Sequence, residues 1–220
     1  MASFFNLTLD TTAPAGLTLK LNNGAAYATS TSVTATIGLT DSVTTGYQMK
    51  IWGVAGAATE AEAAWATFVK SKAITLTTGD GQKTVSIKVR DDVGNETATV
   101  TAKITLDTAV PVVTITGPDK SKISKVATFN VSAFSFSANV DFEEYKIKVV
   151  PSESSLENAG TQIPVTAGST NTSGTAGGYK ADTAINVTIN GADLETASAG
   201  DGVKIVKVFV KNAAGTWSVA

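Results

Sequence analysis

The chain has 220 residues, of which 16% are charged and 7% aromatic, with a formal net charge of −2 at pH 7 and neither Cys nor His. Without thiols or imidazoles there is no disulfide, no Cys–His or Ser–His–Asp nucleophile and no ordinary zinc site. The near-neutral charge, with no block of one sign, excludes a polyanion-binding face, and no apolar run of about 18 residues is present to cross a membrane as a helix.

In chain order, Met1-Ala2-Ser3-Phe4-Phe5-Asn6-Leu7 lacks the charged and apolar regions of a secretory leader, which predicts a product that stays in the cytoplasm that made it unless a leader was removed. Residues 1–10 are expected to form an N-terminal arm or strand. Strands are predicted near Leu17 to Leu21, Ser32 to Leu39 and Tyr47 to Trp52, where apolar and polar residues alternate between turn signals. Thr59 to Phe68 breaks the period. Ala and Glu there favour helix, Thr59 can cap, and Trp65 and Phe68 share a face at i and i+3, so a short helical turn is expected.

From Lys72 to Pro111 the chain reads as a three-stranded meander. Ile74, Leu76, Val85, Ile87 and Val89 alternate with Thr75, Thr77, Ser86, Lys88 and Arg90, and Gly79-Asp80-Gly81 supplies residues that tolerate the positive φ of a tight hairpin. A second turn at Asp91 to Asn95 leads into Thr97 to Leu106. Leu106-Asp107-Thr108-Ala109-Val110-Pro111 then ends the strand, since Pro fixes φ and holds its predecessor extended.

The same plan is written twice. Leu7-Thr8-Leu9-Asp10-Thr11-Thr12-Ala13-Pro14 recurs as Ile104-Thr105-Leu106-Asp107-Thr108-Ala109-Val110-Pro111 at an offset of 97 (107 minus 10), and Tyr47 to Trp52 recurs as Tyr145 to Val150 at an offset of 98 (145 minus 47). The spacing then grows to 111 at Ala73-Ile74 against Ala184-Ile185, and to 121 at Val89 to Gly94 against Val210 to Gly215. Two tandem modules follow, 11–107 and 108–220, the second with insertions near 166–180 and 191–201. The first insertion is the Gly/Ser/Thr tract from Gly168 to Tyr179. Strands of the second module are predicted at Val112 to Thr116, Ala127 to Ser137, Phe142 to Val150, Ile185 to Ile189 and Val203 to Asn212, which gives an all-β chain of two Greek-key sandwiches.

Trp65…Phe68, then Leu76 to Val85 with its Gly-Asp-Gly-Gln-Lys-Thr turn, Arg90-Asp91-Asp92-Val93-Gly94-Asn95 and Leu106-Asp107-Thr108…Pro111 resemble the immunoglobulin-like repeat of bacterial surface proteins and tailed-phage virion proteins. The second module keeps the Leu-Asp-Thr…Pro passage and the Asn212-Ala213-Ala214-Gly215 turn but reads as lacking the Gly-Asp-Gly-Gln-Lys-Thr hairpin. The resemblance implies a non-catalytic spacer, adhesion or decoration module. Its expected setting is a tailed-phage virion, as capsid or tail decoration or host-surface adhesion. The alternative setting is a bacterial cell-surface adhesin or secreted glycan-degrading enzyme in which such modules are spacers.

No catalytic residue is assigned, and no cofactor is expected. Asp10, Asp41, Asp80, Asp91, Asp92, Asn95 and Glu96 offer oxygen ligands for Ca²⁺, but without the Asp-x-Asp-x-Asp spacing of a dedicated loop, and turn geometry accounts for them. Glu143-Glu144 and Glu60 with Glu62 read as surface charge rather than a glycosidase pair. Trp52 and Trp65 are expected in the core, whereas Tyr179 and Trp217 are the candidates for stacking on a host-surface glycan. Phe4, Phe5, Leu7 and Leu9 form a candidate assembly strand, because they resemble the strand that precedes Asp107. One copy's arm would then complete the second module of a neighbour, making the partner the chain itself or another virion protein, with no nucleic acid and no membrane insertion; the alternative, which the residues favour, is an ordinary first strand and a short final one.

Overall fold

The computed structural model describes residues 5–126, 131–163 and 178–219, divided between two compact units, Met1–Thr108 and Ala109–Ala220. Phe4 and most of the Gly168 to Tyr179 tract lie outside the described residues, as do residues 127–130 of the strand expected from Ala127. The chain is all-β, each unit having two sheets over one core.

In chain order unit 1 runs through β1 (Thr18–Leu21), β2 (Tyr27–Ala28), β3 (Ser32–Gly38), β4 (Gln48–Trp52), β5 (Ala66–Thr67), β6 (Ser71–Thr75), β7 (Gly81–Arg90) and β8 (Val100–Leu106). One sheet has the order β1-β3-β6 and the other β2-β8-β7-β4-β5. All neighbours are antiparallel except β2, which runs parallel to β8. This distribution of consecutive strands over two sheets is a Greek-key, immunoglobulin-like sandwich. Leu19, Leu21, Val33, Ala35 and Ile37 of one sheet meet Met49, Ile51, Val85, Ile87, Val89, Ile104 and Leu106 of the other. Each is the inward member of an alternating strand, and full burial of such a side chain contributes about 1.5–3 kcal/mol.

Two expectations change here, and that of a short helical turn is met. β6 pairs with β3 and β7 with β8, so Gly79-Asp80-Gly81 is a corner between sheets and the meander reduces to the β7–β8 hairpin. Alternation marks the buried face of a strand, not the sheet that strand joins. The helical segment is a single 3-10 turn at Glu60–Glu62, capped by Thr59, whose backbone N–H donates to the Glu62 carboxylate at 2.9 Å; β5 follows at once. Trp52 and Trp65 are half-buried rather than core residues: β4 turns Met49 and Ile51 inward, and the Trp65 ring lies under Lys50 at 4.9 Å and Arg90 at 4.4 Å.

Unit 2 runs through β9 (Val113–Thr116), β10 (Val131–Ala138), β11 (Glu144–Val150), β12 (Thr161–Gln162), β13 (Ile185–Asn190), helix α1 (Gly191–Ala197) and β14 (Ile205–Lys211). Its sheets are β13-β10-β9 and β12-β11-β14. Phe136, Phe142, Tyr145, Ile147, Ile163, Val187, Ile189, Val208 and Val210 form its core, with rings of Phe136 and Tyr145 edge-to-face at 5.1 Å. The second insertion holds α1, which the sequence reading did not anticipate. Asn190 caps it by accepting from the Asp193 N–H at 2.8 Å, and Leu194 and Ala197 lie against the core.

Strand for strand, β9, β10, β11, β12, β13 and β14 repeat β1, β3, β4, β5, β6 and β7. Among the described residues, unit 2 has no strand in the place that β8 takes beside β7. There the outer side of β14 is met by the returning chain, through the bridge between Lys211 and Trp217 and the Ser218 N–H, which donates to the Val210 carbonyl at 2.8 Å.

Candidate functional site

The polar chemistry of unit 1 concentrates where its last strand leaves and its first arrives. Asp80, in the corner before β7, accepts from the Thr108 N–H at 3.0 Å and from the Thr108 hydroxyl at 2.8 Å, and so clasps the end of β8. In the β7–β8 turn one carboxylate oxygen of Asp91 accepts from the backbone N–H groups of Val93, Gly94 and Asn95 at 2.7–3.0 Å. The Asn95 amide donates to Asp91 at 2.8 Å, to the Asp10 carbonyl at 3.3 Å and to the Thr12 carbonyl at 3.5 Å. The turn therefore holds the chain's arrival into the unit at residues 10–12.

Unit 2 repeats the grip with other atoms. Asn212, the counterpart of Asp91, accepts from the Thr216 N–H at 2.8 Å and donates to the Ala109 carbonyl at 3.2 Å. Ala109 is the counterpart of Thr12 by the offset of 97 (109 minus 12). Each unit thus uses a side-chain amide in its last turn to fix the same point of the incoming chain.

Burial by itself pushes the Asp91 carboxyl up, but the donors from Asn95, Gly94 and Val93 outweigh it and hold the group below the usual aspartate range. A carboxylate depressed in the folded state adds stability above its unfolded value of about 4 and loses that stability as pH falls through the lower folded value. Asp91→Asn is accordingly expected to flatten the acid-side loss of unit 1 stability below about pH 4, as read from urea midpoints at pH 7, 4 and 3. A variant as acid-sensitive as the parent would remove Asp91 from this role.

The other acidic candidates are spread among separate structural tasks. Asp41 accepts from the Ala15 N–H and the Tyr47 hydroxyl, Glu60 bridges Lys50 and Lys88 at 2.9 Å each, and Glu144 pairs with Lys211. Among the described residues no three carboxylates converge on a metal-sized site. Tyr179 stacks on Phe142 at 4.8 Å and meets Tyr145 edge-on at 5.5 Å, so one face of its ring is committed to unit 2's own aromatic cluster. Trp217 is half-buried, with Lys146 at 4.5 Å and Lys211 at 5.2 Å from its ring.

Two features stand apart. Phe5, Leu7 and Leu9 are 85%, 86% and 86% exposed in a segment that joins no strand among the described residues of unit 1. In unit 2 a groove of about 290 Å³ is lined by Ile123, Lys125, Leu194, Gly200, Asp201 and Lys204 among others. Three distant stretches build this groove, and no local motif announces it. It begins at Gly200-Asp201-Gly202, which matches Gly79-Asp80-Gly81 at the offset of 121 (200 minus 79). Backbone φ agrees too: +83 and +115 at Gly79 and Gly81, +85 and +127 at Gly200 and Gly202. Unit 2 therefore does keep the Gly-Asp-Gly corner that the sequence reading judged missing; only the Gln-Lys-Thr after it has changed.

No family model and no curated protein sequence matches the chain. Solved structures do. The fibronectin(III)-like modules of Clostridium thermocellum CbhA are similar at 9% identity and a TM-score of 0.48, over 92% of this chain and 90% of that one. Chitinase ChiA74 of Bacillus thuringiensis is similar at 13% identity and a TM-score of 0.31, over 92% of this chain and 30% of the chitinase. A Corynebacterium diphtheriae structure described as a membrane-anchored protein is similar at 14% identity and a TM-score of 0.33, over 93% of this chain and 56% of that one. At such identities the likeness concerns fold and does not extend to ligand or activity.

Proposed function

We propose that the chain is a non-catalytic spacer and adhesion protein, made of immunoglobulin-like modules built to be strung end to end and displayed on the outside of a cell or particle. The observation that carries this is the repeated joint. Leu-Asp-Thr…Pro marks the arrival at both modules, and an amide of the last turn, Asn95 or Asn212, holds the arriving chain at equivalent carbonyls. Chemistry spent on the passage between modules, rather than on a cleft, suits a protein whose work is to extend and connect.

Two settings use this joint equally. In a bacterial cell-surface adhesin or secreted glycan-degrading enzyme the modules would hold a distal domain away from its anchor. In a tailed-phage virion they would decorate capsid or tail and contact the host, with Trp217 and the exposed side of Tyr179 available to a surface glycan. Mass spectrometry of washed cells, culture supernatant and purified virions from the source strain decides between them. Recovery from cytosol alone, or release of reducing ends from polysaccharide by the purified chain, would overturn the proposal.

A further inference from the structure

The outer face of the β11–β14 pair has a dry middle. Ile147 and Val149 of β11 and Val208 and Val210 of β14 point into the core, so Lys148, Val150, Lys207 and Phe209 point the other way. Phe209 is nonetheless 0% exposed, Val150 5% and Lys148 8%. The segment 151–160, between β11 and β12, lies over this face as a strap. Lys148 Nζ donates to the Glu157 carbonyl at 2.7 Å. Lys207 Nζ, 5.2 Å from the centre of the Phe209 ring, donates to the carbonyls of Glu153 and Ser155 at 2.6 and 2.9 Å.

Ammonium groups rather than buried apolar side chains hold the strap. Its Leu156 is 53% exposed, and its own backbone bonds close turns within it, from the Ser155 N–H to the Ser152 carbonyl at 3.1 Å and from the Ala159 N–H to the Leu156 carbonyl at 3.0 Å. Lys148 and Lys207 stand directly opposite one another across the strand pair, a placing that like charges disfavour. Among the described residues neither ammonium meets a carboxylate, and strap carbonyls satisfy both. A segment with few apolar contacts, pinned by two mutually repelling side chains, opens more readily than the core beneath it.

The strap also reaches Trp217. The Glu157 carboxylate pairs with Lys146, whose Nζ lies 4.5 Å from the centre of the Trp217 ring. The backbone beside that ring is fixed, since the Ser218 N–H donates to the Val210 carbonyl at 2.8 Å and the Ser218 hydroxyl accepts from the Val210 N–H at 3.2 Å. The indole is the part left to turn. We propose that the 151–160 strap is a latch that sets the Trp217 ring: pinned by Lys148 and Lys207, it holds Lys146 against the indole, and released, it frees both side chains. The two pins are positioning residues, because they act on Trp217 through the strap. A ring fixed before a sugar arrives loses less freedom on binding, so the pinned latch is the binding state. This deepens the reading of Trp217 as a glycan-stacking residue and rests on it.

Trp52→Phe with Trp65→Phe leaves Trp217 as the one indole of the full chain, so its fluorescence reports on the latch. In that background Lys207→Met removes a pin whose bonds go to Glu153 and Ser155 rather than to Lys146 or Trp217. It is expected to raise acrylamide quenching of Trp217 about twofold, as weakening of one cation–π contact allows. Amide exchange at Ser155 and Ala159 is expected to quicken about tenfold, with the melting midpoint of unit 2 held. Lys207→Arg, which keeps donors for the same carbonyls, is expected to stay near the parent in both measurements. Glu157→Ala, which cuts the link to Lys146 and leaves both pins, is expected to raise quenching alone. Faster exchange with quenching unchanged would overturn the proposal, since strap and indole would then be uncoupled. Unchanged exchange in Lys207→Met, or collapse of unit 2 with the strap, would overturn it as well, since the strap would not be a separate element. Glycan-array binding that survives Trp217→Ala would sink the stacking reading and not the latch, whereas uncoupled quenching in a chain that still binds through Trp217 would sink the latch alone.

Discussion

Phe136→Ala is expected to melt unit 2 far below its normal midpoint while unit 1 unfolds where it always did. Phe136 is 1% exposed, with its ring 5.1 Å from Tyr145 and 6.3 Å from Phe142, and the three rings fill the middle of the unit 2 core. Removing a buried phenyl group costs about 3–5 kcal/mol in lost transfer energy and cavity. Against a domain stability of about 5–15 kcal/mol this is a large fraction. At roughly 4 °C per kcal/mol for a unit of this size, it lowers the midpoint by about 12–20 °C. The unit 1 core shares no residue with this cluster, so differential scanning calorimetry should show one transition moved and one unmoved. A common shift of both would mean that the units unfold as one.

Gly53→Ala should be the most damaging single-methyl change in unit 1. Gly53 follows β4 directly with φ +80, a conformation that costs an L-residue about 1–2 kcal/mol. Its new methyl would also overlap the Thr84 carbonyl oxygen, a backbone atom of β7, which cannot yield without disturbing the β4–β7 pair. Overpacking of this kind adds about 1–3 kcal/mol. Gly56→Ala supplies the control: φ is +82 there, but nothing lies within 4 Å of the added carbon. Urea titration is expected to show a clearly lower midpoint for Gly53→Ala than for Gly56→Ala at equal slope. Equal midpoints would leave backbone strain as the whole effect.

Side-chain alternation was enough to place β1, β3, β4, β6 to β11, β13 and β14 within a few residues, because one dry face and one wet face leave a period of two in the sequence. It could not assign strands to sheets. β6 and β7 carry the same pattern, yet the Gly-Asp-Gly corner sends them to opposite sides of the core. Nor could it find β2, β5 and β12, two residues each, where backbone pairing rather than side-chain pattern makes the strand. α1 escaped because only Leu194 and Ala197 of its seven residues turn towards the core, too few to show a helical period. Of the candidate site, the Leu-Asp-Thr…Pro passage was legible because Leu7 to Pro14 repeats Ile104 to Pro111. The groove was not, since residues from before β10, from α1 and from before β14 meet only in three dimensions.

The parallel pairing of β2 with β8 bears on how such a module responds to load. Thr105 and Asp107 donate from β8 to Ala26 and Ala28 at 2.9 Å each. A module pulled at its two ends draws β2 and β8 past one another along their length, so these bonds are strained together instead of being peeled off in turn. Resistance of that kind is governed by the rate of unfolding rather than by equilibrium stability. For unit 1 the lifetime under tension is then set at the β2–β8 pair, a pair that unit 2 does not repeat among its described residues.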